Sequence, residues 1–171
     1  AHVHSYEAVV TAPTCTVPGF TTYTCACGDT YTADETEVVP HVDTDLDITC
    51  DFEGCTKRIL PAADSEISLF TANKMIIVSL SSSYYMQGVV TEVTDAKNGV
   101  FVIRDEAGDT ILVRLPKNAE GASHSTWEQK IVVGDTVRVY GQPKQNTGST
   151  AGQKAKVEGG ILTIVASHDH V

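Results

Sequence analysis

The chain has 171 residues, of which 42% are hydrophobic, 20% charged and 6% aromatic, and its formal net charge is −10. This composition fits one or two folded domains rather than a disordered chain, and no apolar run approaches the roughly 20 residues that span a bilayer, so membrane insertion is not expected. Residues 1–64 carry only Lys57 and Arg58 against eleven acidic side chains, a balance that disfavours nucleic acid, whose phosphates require clustered Lys and Arg.

All five cysteines precede residue 56. They cannot all pair within the chain, so at least one is free, metal-bound or joined to another chain. The chain opens at Ala1 without an initiator Met or a signal peptide, as expected of a mature product or of a piece of a longer chain.

A composition shift near residue 62 predicts two modules, a Cys/His-rich β module over 1–62 and a β-barrel module over 65–171, joined by a short polar connector. In the first, "YEAVVTAPTC" reads as a strand followed by a Pro-punctuated turn. "GFTTYTCACGDTYTAD" reads as a hairpin turning at Gly28-Asp29. Apolar residues are few and scattered here, so the module requires a staple.

Cys25 and Cys27 are spaced to share a strand face. Zinc takes tetrahedral Cys and His ligands, and Cys15, His4 or His41 are available to complete a shell around that pair. A disulfide from Cys15 to Cys25 or Cys27, or free thiols, are the alternatives. Cys50 and Cys55 suit a short disulfide or two further ligands, and together with His2, His4 and His41 the candidates are numerous enough for two sites. Asp43, Asp45, Asp47 and Asp51 mimic the spacing of a helix-loop-helix calcium loop. Ile48 stands where that loop needs Gly, and Gly54 where it needs Glu, so an acidic surface loop is the competing reading.

The stretch "HSYEAVVTAPTCTVPGFTTYTCACGDTYTADETEVVPH" resembles a repeat of large secreted and surface proteins of Gram-positive gut and rumen bacteria. The motif falls on His4, Cys15, Gly19, Cys25, Cys27, Gly28 and His41. Here the cysteine pair is Cys-x-Cys where the family usually has Cys-x-x-Cys. The resemblance implies a secreted or cell-surface location. The chain also begins "AHVHS" and ends "ASHDHV". This echo of His2/His4 by His168/His170 is either chance, since short His pairs are not rare, or the mark of one unit of a tandem array or of a fibre subunit whose partners are neighbouring copies or adjacent modules.

In the second module "KMIIVSL", "GVVTEVTD", "GVFVIRDE", "DTILVRLP", "DTVRVYG" and "GGILTIVAS" read as strands, with hairpins at Asn98-Gly99 and Ala107-Gly108. "GASHSTWEQK" suits a helical turn or two, in the position of the helical insert of an OB-like barrel. The segment from Tyr84 to Pro143 also resembles OB-fold modules attached to bacterial secreted enzymes and surface proteins. Alternation points Phe101, Ile103, Ile111, Val113 and Leu115 inward, and Val100, Val102, Arg104, Leu112 and Arg114 outward.

Candidate ligand-binding residues are Arg104, Arg114, Trp127 and Tyr140. The two arginines read equally as solvated strand charges, and Trp127 as a core plug. "QPKQNTGSTAGQKAK" reads as a long, mildly basic loop with no aromatic platform for bases. His124 has no assignment. There is no Gly-x-Ser-x-Gly, phosphate loop or His-Glu-x-x-His. The sequence thus predicts an all-β, non-catalytic structural or adhesive module. A carbohydrate- or macromolecule-binding accessory module using the outer barrel face is the alternative.

Overall fold

The computed structural model describes residues 2–148 and 152–167, and these are almost entirely β. The chain divides into two compact units, one of residues 1–45 and 49–59 and the other of residues 46–48 and 60–171. Among the described residues no helix is long and apolar enough to cross a membrane. His168 and His170, the distal half of the terminal echo, lie outside the described residues.

The first unit is built on an antiparallel sheet of three strands in sequential order, β1 (Tyr6–Thr11), β2 (Gly19–Cys25) and β3 (Thr30–Thr36). Its Thr/Tyr alternation puts Tyr23 opposite Tyr31, where the rings stack at 4.9 Å, and Tyr6 meets Tyr31 edge-on at 5.0 Å. Such cross-strand aromatic pairs stabilise a sheet by a few tenths to about 1 kcal/mol each. They do not make a core. Among the described residues, the buried apolar side chains of this unit are Cys15, Cys25 and Cys50. Val9 and Val10 on the edge strand β1 are 62% and 75% exposed.

The second unit has an ordinary core. Helix α1 (Leu69–Met75) precedes strands β4 (Tyr84–Asp95), β5 (Val100–Arg104), β6 (Thr110–Arg114), β7 (Thr136–Gly141), β8 (Lys144–Gln145), β9 (Ala155–Glu158) and β10 (Ile161–Ala166). The sheet order is β10-β7-β4-β5-β6-β9-β8. β4 pairs antiparallel with β7, and β6 pairs parallel with β9. β9 lies beside the end strand β8 and β10 forms the other end of the sheet, with only the bend at Gly159-Gly160 between them.

Close approach explains the glycines at this bend. A Cβ on Gly160 would lie 2.8 Å from the Tyr140 carbonyl oxygen, and one on Gly141 would lie 2.5 Å from Val157 Cγ1. Phe101, Ile103, Ile111, Val113, Val137 and Val139 line the interior, all with no exposed surface. Ile48, from the short excursion of residues 46–48, joins the same core.

Three expectations are corrected here. "KMIIVSL" is not a strand: Lys74 and Met75 end α1, and the apolar run after them continues as turn and loop. The helix starts where the Ser68 hydroxyl accepts the Thr71 N–H, and it buries Leu69, Ala72 and Met75 at three-residue spacing. Leu115 does not point inward; it is 45% exposed, past the end of β6, with a φ of 51°. Val100, Val102 and Leu112 do lie on the outer face but are buried there as a small second cluster. Finally, part of the expected long loop is strand, namely β8 and β9.

A single 3-10 turn, His124–Thr126, occupies the expected helical insert. His124 is buried, its Nε2 accepts the Ile131 N–H at 3.3 Å, and its Nδ1 faces the Lys97 carbonyl oxygen at 3.4 Å. The proton therefore sits on Nδ1 and the ring is neutral. Burial holds its pKa below the ordinary value, with the nearby Lys130 charge acting the same way.

Because the folded state favours the neutral ring, His124 contributes stability in full above the ordinary histidine pKa of about 6.5, and that stability is lost as pH falls below it. Urea unfolding followed by the fluorescence of Trp127, the sole tryptophan, should show a falling midpoint from about pH 6.5 to 5, above the carboxylate range. His124→Gln should flatten that slope. A slope unchanged by the substitution would remove the histidine as its cause.

Candidate metal centres

The cysteines and histidines of the first unit gather into two quartets. Cys15, His41, Cys50 and Cys55 form one, and His2, His4, Cys25 and Cys27 form the other. Within each, one ligand atom per residue lies within 4.8 Å of all the others.

Local turns build the first quartet. The Thr14 hydroxyl accepts the N–H groups of Thr16 and Val17, tightening the chain around Cys15. The Val39 N–H donates to the Thr14 carbonyl, bringing the approach to His41 alongside. The Asp51 N–H donates to Val42, and Cys50 N–H to Lys57, so that Cys50 and Cys55 face His41 from a compact loop. Gly54, at φ 77°, supplies the left-handed residue of that loop.

The distances match a tetrahedral ion. Zinc bonds of about 2.3 Å to sulfur and 2.0–2.1 Å to nitrogen put two sulfurs about 3.8 Å apart, and a sulfur and a nitrogen about 3.6 Å apart. Cys15 and Cys50 sulfurs are 3.7 Å apart, and Cys55 Sγ is 3.5 Å from His41 Nδ1. A disulfide would need about 2.05 Å. All five cysteines are free thiols, and Cys15 falls in a different cluster from Cys25 and Cys27.

Electrostatics within the first quartet point the same way. Burial works against a charge on Cys50, yet backbone N–H groups of Phe52 and Val42 and the His41 ring bring its thiol down to about 6. Burial pushes Cys15 up to about 12, reinforced by hydrogen bonding to Cys55 and Cys50. Neighbouring sulfurs of one cluster are thus shifted in opposite directions, and a cation that binds thiols displaces their protons. The N–H groups beside Cys50 are the outer donors that orient thiolate ligands.

The second quartet sits at the β2–β3 turn. Cys25 ends β2, whereas Cys27 belongs to the turn itself rather than to a shared strand face. His4 Nδ1 is 3.3 Å from Cys27 Sγ. The Cys27 thiol and backbone N–H, then the His4 ring and the Ser5 N–H, lower Cys25 to about 7. His2, counted from the sequence among the candidates for a second site, completes the group.

Asp43, Asp45 and Asp51 converge, but Asp47 is not part of that group. Asp51 already accepts the Thr44 N–H and hydroxyl. The described residues hold no helices flanking this loop, so the helix-loop-helix arrangement is missing.

The four candidate ligand residues of the second unit are not assembled into one site. Arg104 is exposed and lines a groove of about 420 Å³ with Gln87, Val89, Glu106 and Thr136. Arg114 is half-buried on β6. Trp127 donates its indole N–H to the Ala122 carbonyl and packs on His124. Tyr140 lines a cavity of about 300 Å³ with Tyr85, Arg138 and Ile161. The Arg138 guanidinium lies 4.1 Å over the Tyr85 ring and 3.1 Å from Glu66. Tyr85 and Arg138, which the sequence reading passed over, are outward residues of two paired strands.

The chain matches no known family model and no curated protein.

Loss of one ligand should disable the first quartet, because structural zinc supplies folding free energy on the order of 10–16 kcal/mol. Cys50→Ser should bind less zinc, measured by metal analysis of the purified chain. It should also lose the dispersed amide resonances of β1–β3 while those of β4–β10 persist. Unchanged resonances for β1–β3 would mean that the quartet is not a staple.

Proposed function

We propose that the chain is a non-catalytic extracellular module whose first unit is held by structural zinc, and that it serves a structural or adhesive role in a secreted or surface protein of the Gram-positive type it resembles. One observation carries the structural assignment: a closed Cys3His quartet stands in a unit whose buried apolar side chains are cysteines. Four protein ligands leave no open position for a reacting water, which is the mark of a structural rather than a catalytic zinc. The ligands also come from three separate segments, around Cys15, His41 and Cys50–Cys55. An ion there would tie together turns otherwise joined by the Val39–Thr14 and Asp51–Val42 backbone hydrogen bonds.

The adhesive part of the reading rests on the resemblance and on β1. An edge strand with exposed valines and unpaired backbone groups suits pairing with a neighbouring copy or module. A second reading, carbohydrate binding by the barrel unit, is favoured by the Tyr85, Arg138 and Tyr140 surface, where aromatic faces and a guanidinium are presented together.

Native mass spectrometry tests the first reading. The intact chain should carry zinc that is lost on denaturation, with all five thiols then open to labelling. Chelation should unfold the first unit and leave the second folded. Finding no metal and four unlabelled cysteines would replace the zinc reading with two disulfides. For the second reading, binding to a carbohydrate array that falls at least about tenfold in Tyr140→Ala, or about 1.4 kcal/mol, would move the function to the barrel.

A further inference from the structure

The two quartets differ in ways that bear on exchange. In the first, Cys15 and Cys50 are buried and His41 and Cys55 half-buried. In the second, only Cys25 is buried, and His2, His4 and Cys27 are exposed. The first offers three thiolates, the second two. Both differences act in one direction, since thiolates bind zinc more strongly than imidazoles, and exposure lets a competing ligand reach the ion.

The second quartet is nonetheless a built site. His2 and His4 rings lie 4.5 Å apart, and His4 stacks on Tyr6 at 5.7 Å with a 9° interplanar angle. Asp29 lies 3.8 Å from His4 Nδ1 and accepts the Tyr6 hydroxyl. Cys25 and Cys27 are fixed by the turn, in which Cys25 N–H donates to Asp29 and Gly28 N–H to Cys25. Two ligands therefore belong to a rigid turn, and two to the segment before β1, which has no strand pairing of its own.

We propose that His2, His4, Cys25 and Cys27 form a second zinc site, one that exchanges its ion readily and acts as a metal-dependent latch, fastening residues 2–5 onto the β2–β3 turn. This inference rests on the zinc reading of the first quartet. Binding closes the latch by converting two thiols to thiolates, with their protons released to solvent, and by drawing both imidazoles onto the ion. Removing zinc frees the segment while the first quartet keeps the unit folded.

The test uses the full chain loaded with zinc and the variant carrying His2→Ala and His4→Ala, which leaves every cysteine in place. A chromogenic zinc chelator should withdraw one ion quickly and the other only slowly or on denaturation. The double variant should hold one ion and lack the fast phase, with unchanged far-ultraviolet circular dichroism. Amide exchange of residues 3–5 should rise when the fast ion is removed. One ion in both proteins overturns the latch and leaves the first quartet standing. Two ions leaving together overturn the exchange. No ion in either overturns both readings. A Cys25–Cys27 disulfide in the isolated protein, seen by mapping, would also sink the proposal.

Discussion

The first unit has almost nothing apolar to bury, and the rest of its structure follows from that. Ordering a residue costs roughly 1–2 kcal/mol of backbone entropy, and burial at about 25 cal/mol per Å² of apolar surface normally offsets it. Here β1 and β3 are largely exposed, β2 buries only Gly19, Thr21 and Cys25, and the buried apolar side chains are cysteines. Hydrogen bonds between exposed strands contribute too little to hold such a fold. Small domains in this position use disulfides or a metal, and the sulfur–sulfur and sulfur–nitrogen separations are those around an ion. The cysteines are therefore the core, and their separations suit coordination in place of packing.

The second unit solves the same problem by ordinary means. Its interior strands alternate, its core residues are buried, and β9 and β10, joined by two glycines, pair with β6 and β7. Ile48 shows how far that demand reaches. It is fully buried and yet holds a φ of 70°, a conformation that β-branched residues rarely adopt. Burying such a side chain stabilises by about 1.5–3 kcal/mol, comparable with the 1–3 kcal/mol that the backbone conformation costs.

This contrast explains what could be read from the sequence. Period-two alternation marked most strands of both units, and Asn98-Gly99 and Ala107-Gly108 marked turns of the second, because these signals are local. Helix α1 was missed because four consecutive apolar residues, Met75 to Val78, carry no period, while the informative spacing of Leu69, Ala72 and Met75 began earlier. Strand β9 was hidden in a stretch rich in Lys, Gly and Gln, where its two inward residues, Ala155 and Val157, give too short an alternation to notice. The ligand types were legible, but their division was not. Cys15 is nearer in sequence to Cys25 than to Cys50, and only the return of the chain from His41 to Cys55 reverses that proximity in space.

Charge links the quartets to the composition that first excluded nucleic acid. A zinc ion on three thiolates and a histidine leaves a net charge of −1, and on two thiolates and two histidines it leaves zero. Without the ion, each ionised thiol adds to an already acidic half-chain. Hydrogen bonding lowers a thiol in each cluster, from the Cys27 thiol first at Cys25, and at Cys50, against the cost of burial, from the Phe52 N–H. Asp29 beside His4 adds a carboxylate at the exposed site. The acidity of this unit therefore favours cations at both places, while burial distinguishes them. The same ion would close a core where the cysteines are buried, and would be open to exchange where the histidines stand in solvent.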